Sequence, residues 1–414
     1  MNVLLIGGGG REHAIAKKIK ESLRLKDFYC TPGNPGISEI AKIIDVDPDD
    51  HNAIIEFSKA NNIELIICGP EKQLVDGLAD IANENGIYVF GPKSKGAKLE
   101  GSKIFSKQFM YKYNIPTASF TAFYDYEYAK AHIEKRLTFP IIIKADGLAA
   151  GKGVKVANNK EEATAIIKEF MVTKTMGKSG EQIIIEELLL GEEMSFLYIT
   201  DGNTFLPLIP AKDYKKALDN DMGENTGGMG CYAPHLSITD ELREQIDKDI
   251  IQKIKHGFKN ENIDFRGVLY VGLMLTDQGP KVLEFNCRFG DPEAQVIIPL
   301  IENDLLEIMH ATAKGNLESH IIKWKNDYAA CVVIAAGGYP GKYKKGIKIN
   351  FSINPNEFIH AGTKFQSKNI VTNGGRVLNA VAFGPSKKTA LENAYKLAEK
   401  VDFENCFYRK DIGR

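Results

Sequence analysis

Three short apolar runs near the N-terminus, each ended by glycine or proline, constrain this chain more than any other feature of its sequence. The runs cover residues 2–6, 65–68 and 87–90, and they end in Gly7, Gly69-Pro70 and Gly91-Pro92. Helix-like segments separate them, one with Ile15, Ile19 and Leu23 at a spacing of four and one at residues 74–85. Apolar strands that alternate with helices predict a parallel, Rossmann-like sheet with right-handed crossovers. Such sheets bind ligands at the carboxyl ends of their strands.

Length and charge limit the possible functions. The chain has 414 residues, with 53 Lys and Arg against 54 Asp and Glu. This balance disfavours a nucleic-acid-coating protein, and no apolar run approaches the roughly 20 residues that span a bilayer. The six cysteines are scattered and the N-terminus lacks the apolar run of a signal peptide, so we expect a cytoplasmic protein with reduced thiols. We expect a monomer that acts on small molecules.

The rest of the chain divides into three parts. Residues 121–190 have the pattern of a small α+β unit. Residues 191–320 contain longer strands, a long helix at 240–259, a hairpin at 267–286 and a helix near 304–314. Residues 328–414 begin with an apolar strand, continue as short strands with Gly and Asn turns, and close with a helix at 387–400.

The first glycine cluster, residues 7–10, joins a strand to a helix. Free N–H groups at a helix N-terminus favour a bound phosphate, so Gly8, Gly9 and Gly10 are candidate ligand contacts. The dinucleotide motif G-x-G-x-x-G fits poorly, because its third glycine falls on Glu12 or His13. The alternative is a tight turn with a packing role.

A second glycine-rich segment follows Lys144, which ends a predicted strand. It runs Ala145-Asp146-Gly147-Leu148-Ala149-Ala150-Gly151-Lys152-Gly153 and leads into another strand. It is not a P-loop, because the spacing is one residue short and Gly153 replaces the Ser or Thr that binds magnesium. We predict a flap that closes over phosphates; the alternative is a surface hairpin with a solvated lysine.

The predicted strand at residues 183–187 changes from apolar to acidic. Its backbone at Glu186 and Leu188 could pair with the edge of an adenine, and Glu193 could accept hydrogen bonds from ribose hydroxyls. Taken alone, this pattern is more typical of an edge strand with solvated acids.

Residues 281–293 are the richest segment in charged and polar groups. Strand alternation places Glu284 and Asn286 on one face, with Leu283 and Phe285 on the other. Two oxygen ligands two residues apart can share Mg²⁺ and leave positions for water and nucleotide phosphates. Arg288 follows, and its planar guanidinium can donate two parallel hydrogen bonds to phosphate or acyl-phosphate oxygens. The alternative is a structural ion pair of Arg288 with Glu284 or Asp291.

A further glycine-rich loop at residues 224–230 follows a stretch of mixed charge that includes Asp213. Such a loop could hold a small zwitterion, which makes Asn225 a candidate substrate contact. A flexible surface loop is equally consistent with the pattern.

Together these segments resemble the phosphoribosylamine–glycine ligase family of the ATP-grasp superfamily, and the resemblance runs essentially end to end. The matching motifs also include Pro32-Gly33-Asn34, Gly69-Pro70-Glu71, Leu99-Glu100-Gly101-Ser102-Lys103, Ala335–Gly341, His360-Ala361-Gly362-Thr363 and Thr372–Arg376. The resemblance implies ligation of glycine to 5-phosphoribosylamine in de novo purine biosynthesis, with ATP split to ADP and phosphate through glycyl phosphate.

The resemblance also implies roles for individual residues. ATP would be bound by Lys103, Lys144, Gly151, Lys152, Gly153, Glu186, Leu188 and Glu193, and Mg²⁺ or Mn²⁺ by Glu284 and Asn286. Arg288 and Asp291 would face the reacting groups, with a weaker assignment for Asp213. The turn at residues 7–10 and Glu71 would line the phosphoribosylamine side, and Arg288 and Asn225 would also contact substrate.

The fold implied by the resemblance is α/β with four domains. These are a parallel-sheet domain at 1–100, a central ATP-grasp domain with the metal site at 101–120 and 191–325, a small ATP-grasp lid at 121–190 and a mixed β domain at 326–414. Two departures stand out. The strand at residues 270–275 carries no acid that could complete the metal site, and Tyr214 stands where a histidine is common.

Three other functions remain open at this stage. The first is a different ATP-grasp ligase, such as a formate- or bicarbonate-activating enzyme. The second is a nicotinamide-dependent oxidoreductase, which only the N-terminal glycines suggest. The third is a regulatory nucleotide-binding module without turnover, which would leave the cluster at Glu284 and Asn286 unexplained.

Overall fold

The N-terminal part of the computed structural model is a five-stranded parallel sheet, as the sequence predicts. The structure describes residues 1–148, 153–235 and 238–414. The strands are β1 (Asn2–Gly7), β2 (Phe28–Pro32), β3 (Lys42–Ile43), β4 (Ile63–Cys68) and β5 (Tyr88–Phe90), in the order β3-β2-β1-β4-β5. The helices are α1 (Gly10–Ile19), α2 (Pro35–Ser38), α3 (His51–Ala60), α4 (Glu71–Val75), α5 (Leu78–Glu84), α6 (Ser94–Gly101) and α7 (Lys103–Lys112).

Two local expectations in this part are wrong. The helix expected at residues 74–85 is two helices, because Gly77 between them has a left-handed φ of +94°. Leu23 does not continue the apolar stripe of α1, since the helix ends at Ile19 and the Leu23 side chain is fully exposed.

Both faces of the N-terminal sheet are buried, which explains its continuous apolar runs. Val3 and Leu5 of β1 belong to one hydrophobic cluster, and Leu4 and Ile6 belong to another. Both clusters also contain residues of the central sheet, such as Leu197 in the first cluster. The N-terminal sheet therefore packs directly against the middle of the chain.

Residues 120–187 form a second sheet with its own hydrophobic cluster. Its elements are β6 (Phe120–Phe123), α8 (Tyr126–Lys135), β7 (Ile141–Ala145), β8 (Val154–Ala157), α9 (Lys160–Met171), a short 3₁₀ turn (Gly177–Gly180) and β9 (Ile183–Glu187). The strand order is β6-β9-β7-β8, and each neighbouring pair is antiparallel. The glycine-rich segment after Lys144 therefore does connect two antiparallel strands.

The central part contains a four-stranded antiparallel sheet in the order β11-β10-β16-β17. The strands in this part of the chain, including those of other sheets, are β10 (Glu192–Thr200), β11 (Phe205–Pro207), β12 (Lys212–Asp213), β13 (Lys216–Leu218), β14 (Met222–Asn225), β15 (Gly230–Ala233), β16 (Gly267–Thr276) and β17 (Gly279–Asn286). Its helices are α10 (Asp240–Ile246), α11 (Gln252–Asn260), α12 (Glu293–Ile297) and α13 (Leu305–Lys314). A π turn (Asp247–Ile251) joins α10 to α11, and 3₁₀ turns lie at Asp219–Asp221 and Ile298–Leu300.

The C-terminal sheet mixes strands from two parts of the chain. Its order is β12-β15-β18-β23-β20, so strands from residues 212–233 pair with strands beyond residue 325. The C-terminal elements are β18 (Tyr328–Ala335), β19 (Asn350–Phe351), β20 (Ile359–His360), β21 (Thr363–Gln366), β22 (Asn369–Thr372), β23 (Arg376–Gly384), α14 (Lys387–Ala398) and β24 (Val401–Asp402), with a 3₁₀ turn at Pro355–Glu357. Each of the six cysteines is a free thiol, and all but Cys406 are buried. Among the described residues, no helix has the length and apolarity needed to cross a membrane.

Candidate active site

The hairpin of β16 and β17 places Glu284 and Asn286 on one face, as strand alternation predicts. Glu284 pairs with Gly272 and Asn286 with Tyr270, while the intervening Phe285 is buried in the core. Alternation fails one residue earlier, because the register shifts at Leu283, which is partly exposed. The two predicted metal ligands therefore emerge together at the end of β17.

Four cations surround the Glu284 carboxylate. Burial by itself would raise the pKa of this group, but positive charges outweigh burial and lower it. These charges belong, in decreasing order of effect, to Lys215, Lys144, Lys103 and Arg288. Within the described residues, no hydrogen bond or ion pair engages the carboxylate of Glu284. The Glu284 carboxylate therefore stays ionised and, in the described part of the chain, has oxygens free for a ligand. Such an oxygen, among cations that can also contact phosphates, is suited to a metal ion bound to nucleotide phosphates.

Lys103 and Lys144 reach this place from two different parts of the chain. Lys144 lies near the end of β7, and its Nζ lies 3.4 Å from the Leu283 carbonyl oxygen. Lys103 begins α7 and donates to the Gly147 carbonyl at 2.8 Å. Asp146 holds the loop in place, because its Oδ1 accepts from the Ile104 N–H at 2.9 Å. The loop after β7 is thus anchored on the N-terminus of α7.

Glu186 forms a buried three-charge cluster with two lysines. It is ion-paired with Lys144 and, at 2.5 Å, with Lys107, and all three side chains are at most 10% exposed. Burial is the main cause that lowers the pKa of Lys107 to about 8. The two lysines outweigh burial and lower the pKa of Glu186. The prediction for Glu186 concerned its backbone; in the structure its side chain is held between Lys107 and Lys144.

Arg288 has different ion-pair partners from those the sequence suggested. It contacts Glu100 at 2.7 Å and Glu71 at 3.3 Å, and also donates to Asn286 Oδ1 at 3.2 Å. Neither Glu284 nor Asp291 is an ion-pair partner of its guanidinium within the described residues. The arginine therefore connects the face of β17 that carries Asn286 to the N-terminal domain, where Glu71 begins α4.

The glycine turn after β1 lies against Asp291. The strand order reverses between β1 and β4, the position where open parallel sheets bind ligands. The Arg11 N–H, in the first turn of α1, donates to Asp291 Oδ2 at 3.3 Å. A Cβ on Gly8 would lie 2.3 Å from the Gly33 carbonyl oxygen, and one on Gly10 would lie 2.6 Å from a Gln295 nitrogen. The glycines thus have the packing role that the alternative proposed, at the same place as the predicted ligand site.

Asp291 itself is held by further contacts. Its Oδ1 accepts from Gln295 at 2.8 Å and lies 3.3 Å from Arg376. Burial would raise the pKa of Asp291, but Arg376 and Arg11 outweigh it and lower that pKa. Arg376 also donates to the Gly227 carbonyl at 2.7 Å, which connects Asp291 to the glycine-rich loop at 224–230.

Asp213 lies at the edge of the same region. Its Oδ1 is buried without a hydrogen-bond partner, and burial, followed by the charge of Glu293, raises its pKa well above the usual range. Lys215 forms an ion pair with Glu193. Glu193 lies at the start of β10.

The other predicted site residues are less closely associated with this cluster. Asn225 is exposed at the end of β14, and Leu188 is partly exposed after β9. The Gly153 carbonyl accepts from the Ala145 N–H at 2.8 Å, which closes the base of the predicted flap. Gly151 and Lys152 lie outside the described residues.

Comparison with known proteins identifies the family. Family models for phosphoribosylglycinamide synthetase match residues 1–100 (N domain), 101–294 (ATP-grasp (A) domain) and 329–414 (C domain). The phosphoribosylamine–glycine ligase of Caldanaerobacter subterraneus subsp. tengcongensis is 46% identical over 414 residues, covering 100% of this chain and 99% of that protein. The chain belongs to the phosphoribosylglycinamide synthetase family. As an ATP-grasp ligase of this family, it uses ATP and acts on small molecules.

Solved structures agree with this placement in the phosphoribosylglycinamide synthetase family. The crystal structure of Thermotoga maritima phosphoribosylamine–glycine ligase is 34% identical with a TM-score of 0.88, covering 100% of both chains. The biotin carboxylase domain of Hydrogenobacter thermophilus 2-oxoglutarate carboxylase, crystallised with MgADP, ADP and bicarbonate, has a TM-score of 0.77. At 19% identity, over 98% of this chain and 91% of that domain, it shares the fold. The predicted family, ligase class and α/β fold are confirmed, and the oxidoreductase and non-catalytic alternatives are wrong.

Several site residues were missed by the sequence analysis. They are Arg11, Glu100, Lys107, Lys215, Glu293 and Arg376. Lys107 had a local signal, since it follows Lys103 by one helical turn on α7. Arg376 ends the family motif at residues 372–376, but its contact with the Gly227 carbonyl joins residues 149 positions apart, so no local pattern predicts it.

Proposed function

We propose that this protein ligates glycine to 5-phosphoribosylamine and splits ATP to ADP and phosphate. The observation that carries the proposal is the shared face of Glu284 and Asn286, which is surrounded by Lys103, Lys144 and Arg288. Such a site can position and neutralise the phosphates of ATP. The names of the full-length relatives support glycine and phosphoribosylamine as the other substrates. De novo purine biosynthesis in the cytoplasm is the corresponding cellular role.

The mechanism follows from the poor reactivity of a carboxylate. Attack of a glycine carboxylate oxygen on the γ-phosphorus would release ADP and give glycyl phosphate. The amine nitrogen of phosphoribosylamine would then attack the acyl carbon, expel phosphate and lose a proton. Phosphoryl transfer depends mainly on positioning and charge neutralisation, which lysines and an arginine supply without a protein nucleophile.

A divalent metal ion fits the residues present. Glu284 and Asn286 would hold Mg²⁺ or Mn²⁺ with two protein oxygens. The described residues contain no larger group, of three or more His, Cys, Asp or Glu side chains, that could bind a metal instead. Two protein oxygens are consistent with the coordination of Mg²⁺, which usually keeps several water or phosphate ligands. When bound, the ion supplies positive charge to the phosphates of ATP.

The substrates divide between two sides of this cluster. ATP would lie between the lid at 121–190 and the central domain formed by 101–120 and 191–325, against Lys103, Lys144 and Glu186. Phosphoribosylamine would approach the glycine turn of the 1–100 domain and Glu71. Glycine would lie between Arg288, Asp213 and the 224–230 loop, beside the 326–414 domain. We propose that one chain carries the whole site and acts as a monomer.

The proposal is tested by following ADP release while each substrate is omitted. The reaction contains ATP, Mg²⁺, glycine and freshly prepared phosphoribosylamine. ADP release should require both glycine and phosphoribosylamine. Formate or bicarbonate should not replace glycine; if either does, the protein is a different ATP-grasp ligase.

A further inference from the structure

A buried arginine near the C-terminus has partners that the proposed mechanism does not use. Arg409 is 1% exposed and is the largest of the fully buried side chains. Its guanidinium contacts Asp411 at 2.7 Å and Asp221 at 2.9 Å, and donates to the Lys216 carbonyl at 3.1 Å. A buried guanidinium is costly without such partners. The arrangement therefore ties residues 403–414, the C-terminal tail, to a segment nearly 200 residues earlier.

The tail holds the hairpin of β13 and β14 through backbone contacts as well. The Lys410 N–H donates to Asp219 at 2.8 Å, and the Asn220 N–H donates to Asp411 at 2.8 Å. Within the described residues, β13 and β14 pair only with each other. The hairpin therefore gets no support from a larger sheet, and these tail contacts support its turn.

The segment before this hairpin presents two different sides. Tyr214 faces the tail: its ring lies 5.1 Å from the Arg409 guanidinium, and its hydroxyl donates to the Arg414 carbonyl at 3.1 Å. Its neighbours Asp213 and Lys215 face the active site, where Lys215 is the first of the charges that lower the pKa of Glu284. In an extended segment, alternate residues point to opposite sides.

The segment is also connected to the glycine-rich loop. The Lys215 carbonyl accepts from the Thr226 N–H at 2.7 Å and from the Thr226 hydroxyl at 2.8 Å. Gly228 leaves room for Asp213, because a Cβ on Gly228 would lie 2.7 Å from Asp213 Oδ1. A shift of Tyr214 or Lys216 would therefore move both the acid and the loop.

We propose that Arg409 is a positioning residue that fixes Asp213, Lys215 and the 224–230 loop from behind, and so sets the affinity for the amino acid substrate. The inference rests on the proposed function, in which this side of the site holds glycine. Its main effect should be on the glycine side, since Lys103, Lys144 and Glu186 make no hydrogen bond or ion pair with the tail within the described residues. Lys215 leads toward the ATP side through its ion pair with Glu193, so a smaller effect on ATP is expected.

The test compares KM for glycine and KM for ATP in Arg409→Lys, which keeps the positive charge but loses the planar guanidinium and its several hydrogen-bond donors. Small displacements of reacting groups can cost up to about 10²-fold in rate. We expect KM for glycine to rise about tenfold and KM for ATP to stay within about twofold. Asp221→Asn should shift KM for glycine in the same direction by about threefold. The Asp221 side chain is 72% exposed and its φ of +52° suits asparagine, so this variant should fold.

Lys387→Met is the matched control. Lys387 donates to the Gly413 carbonyl at 3.0 Å, so it holds the same tail without touching the hairpin. Its KM values should equal those of the unmodified protein. Unchanged KM for glycine in both Arg409→Lys and Asp221→Asn, or an equal rise in both KM values, would overturn the positioning role. Failure of the unmodified protein to release ADP with glycine and phosphoribosylamine would instead refute the proposed function.

Discussion

The substitution Glu284→Gln tests the metal and phosphate site most directly. Glutamine keeps the size and shape of the side chain and removes only its charge. In the structure, that charge is surrounded by Lys215, Lys144, Lys103 and Arg288, which together lower its pKa. The neutral amide would leave these four cations without their shared anion and would weaken the hold on a divalent ion.

The expected loss in rate is large and the expected loss in stability is small. Removing one preorganised charged contact to a transition state costs about 3–4 kcal/mol, or 10²–10³ in kcat. Glu284 is partly exposed and has no hydrogen bond within the described residues. We therefore expect the free energy of unfolding to change by no more than about 1 kcal/mol.

Two assays separate these effects. Coupled ADP detection with saturating substrates gives kcat, and urea denaturation followed by circular dichroism gives the free energy of unfolding. The matched control is Asp277→Asn, which makes the same charge change at the exposed turn of the same hairpin. It lies roughly 20 Å from Glu284 along the strand, so both kcat and stability should be unchanged.

A third measurement tests the role of the metal directly. Binding of Mn²⁺ with ADP, followed by electron paramagnetic resonance, should weaken at least tenfold in Glu284→Gln and be unchanged in Asp277→Asn. If Glu284→Gln kept nearly normal kcat and normal Mn²⁺ binding, Glu284 would not be a metal ligand and the reasoning would fail.

Three further predictions concern the lysine cluster, the glycine loop and pH. Lys107→Met leaves Glu186 with one lysine partner and should raise KM for ATP about tenfold in steady-state assays; an unchanged value would contradict the role of the cluster. Gly228→Ala should abolish most glycine-dependent ADP release, because φ is +115° and its Cβ would lie 2.4 Å from a proline carbon. The control Gly86→Ala shares a positive φ, +74°, but its Cβ would meet nothing within 4 Å, so this variant should retain activity. Burial lowers the pKa of His360 to about 4 in the folded protein, whereas the same side chain in the unfolded chain has a pKa near 6.5. As the pH falls, the imidazole of His360 is therefore protonated in the unfolded chain before it is protonated in the folded protein. The free energy of unfolding should therefore drop by about 2–3 kcal/mol between pH 7 and pH 4.5 through this residue, and denaturation of His360→Gln should show a correspondingly smaller drop than the unmodified protein.

Local patterns in the sequence predicted many elements well. The helices Leu305–Lys314 and Lys387–Ala398, expected near 304–314 and at 387–400, depend on spacing and capping residues that lie within the helix or next to it. The shared face of Glu284 and Asn286 follows from the twofold repeat of a strand. Such features depend on neighbours a few residues away, so a single sequence contains the needed information. The helix expected across Gly77 and the buried position expected for Leu283 are wrong because of a left-handed turn and a shift in strand register, which the periodicity of the sequence does not reveal.

Only the tertiary structure decided which charges meet. Arg288 pairs with Glu71, 217 positions away, rather than with the acids near it in sequence, because α6 packs against both α4 and β17 and so brings Glu71 near the end of β17. Arg409 reaches the Lys216 carbonyl across 193 positions, since strands from the middle of the chain join the C-terminal sheet. Short-range periodicity determines helices, strands and their faces, but the pairing of buried charges depends on how those elements pack.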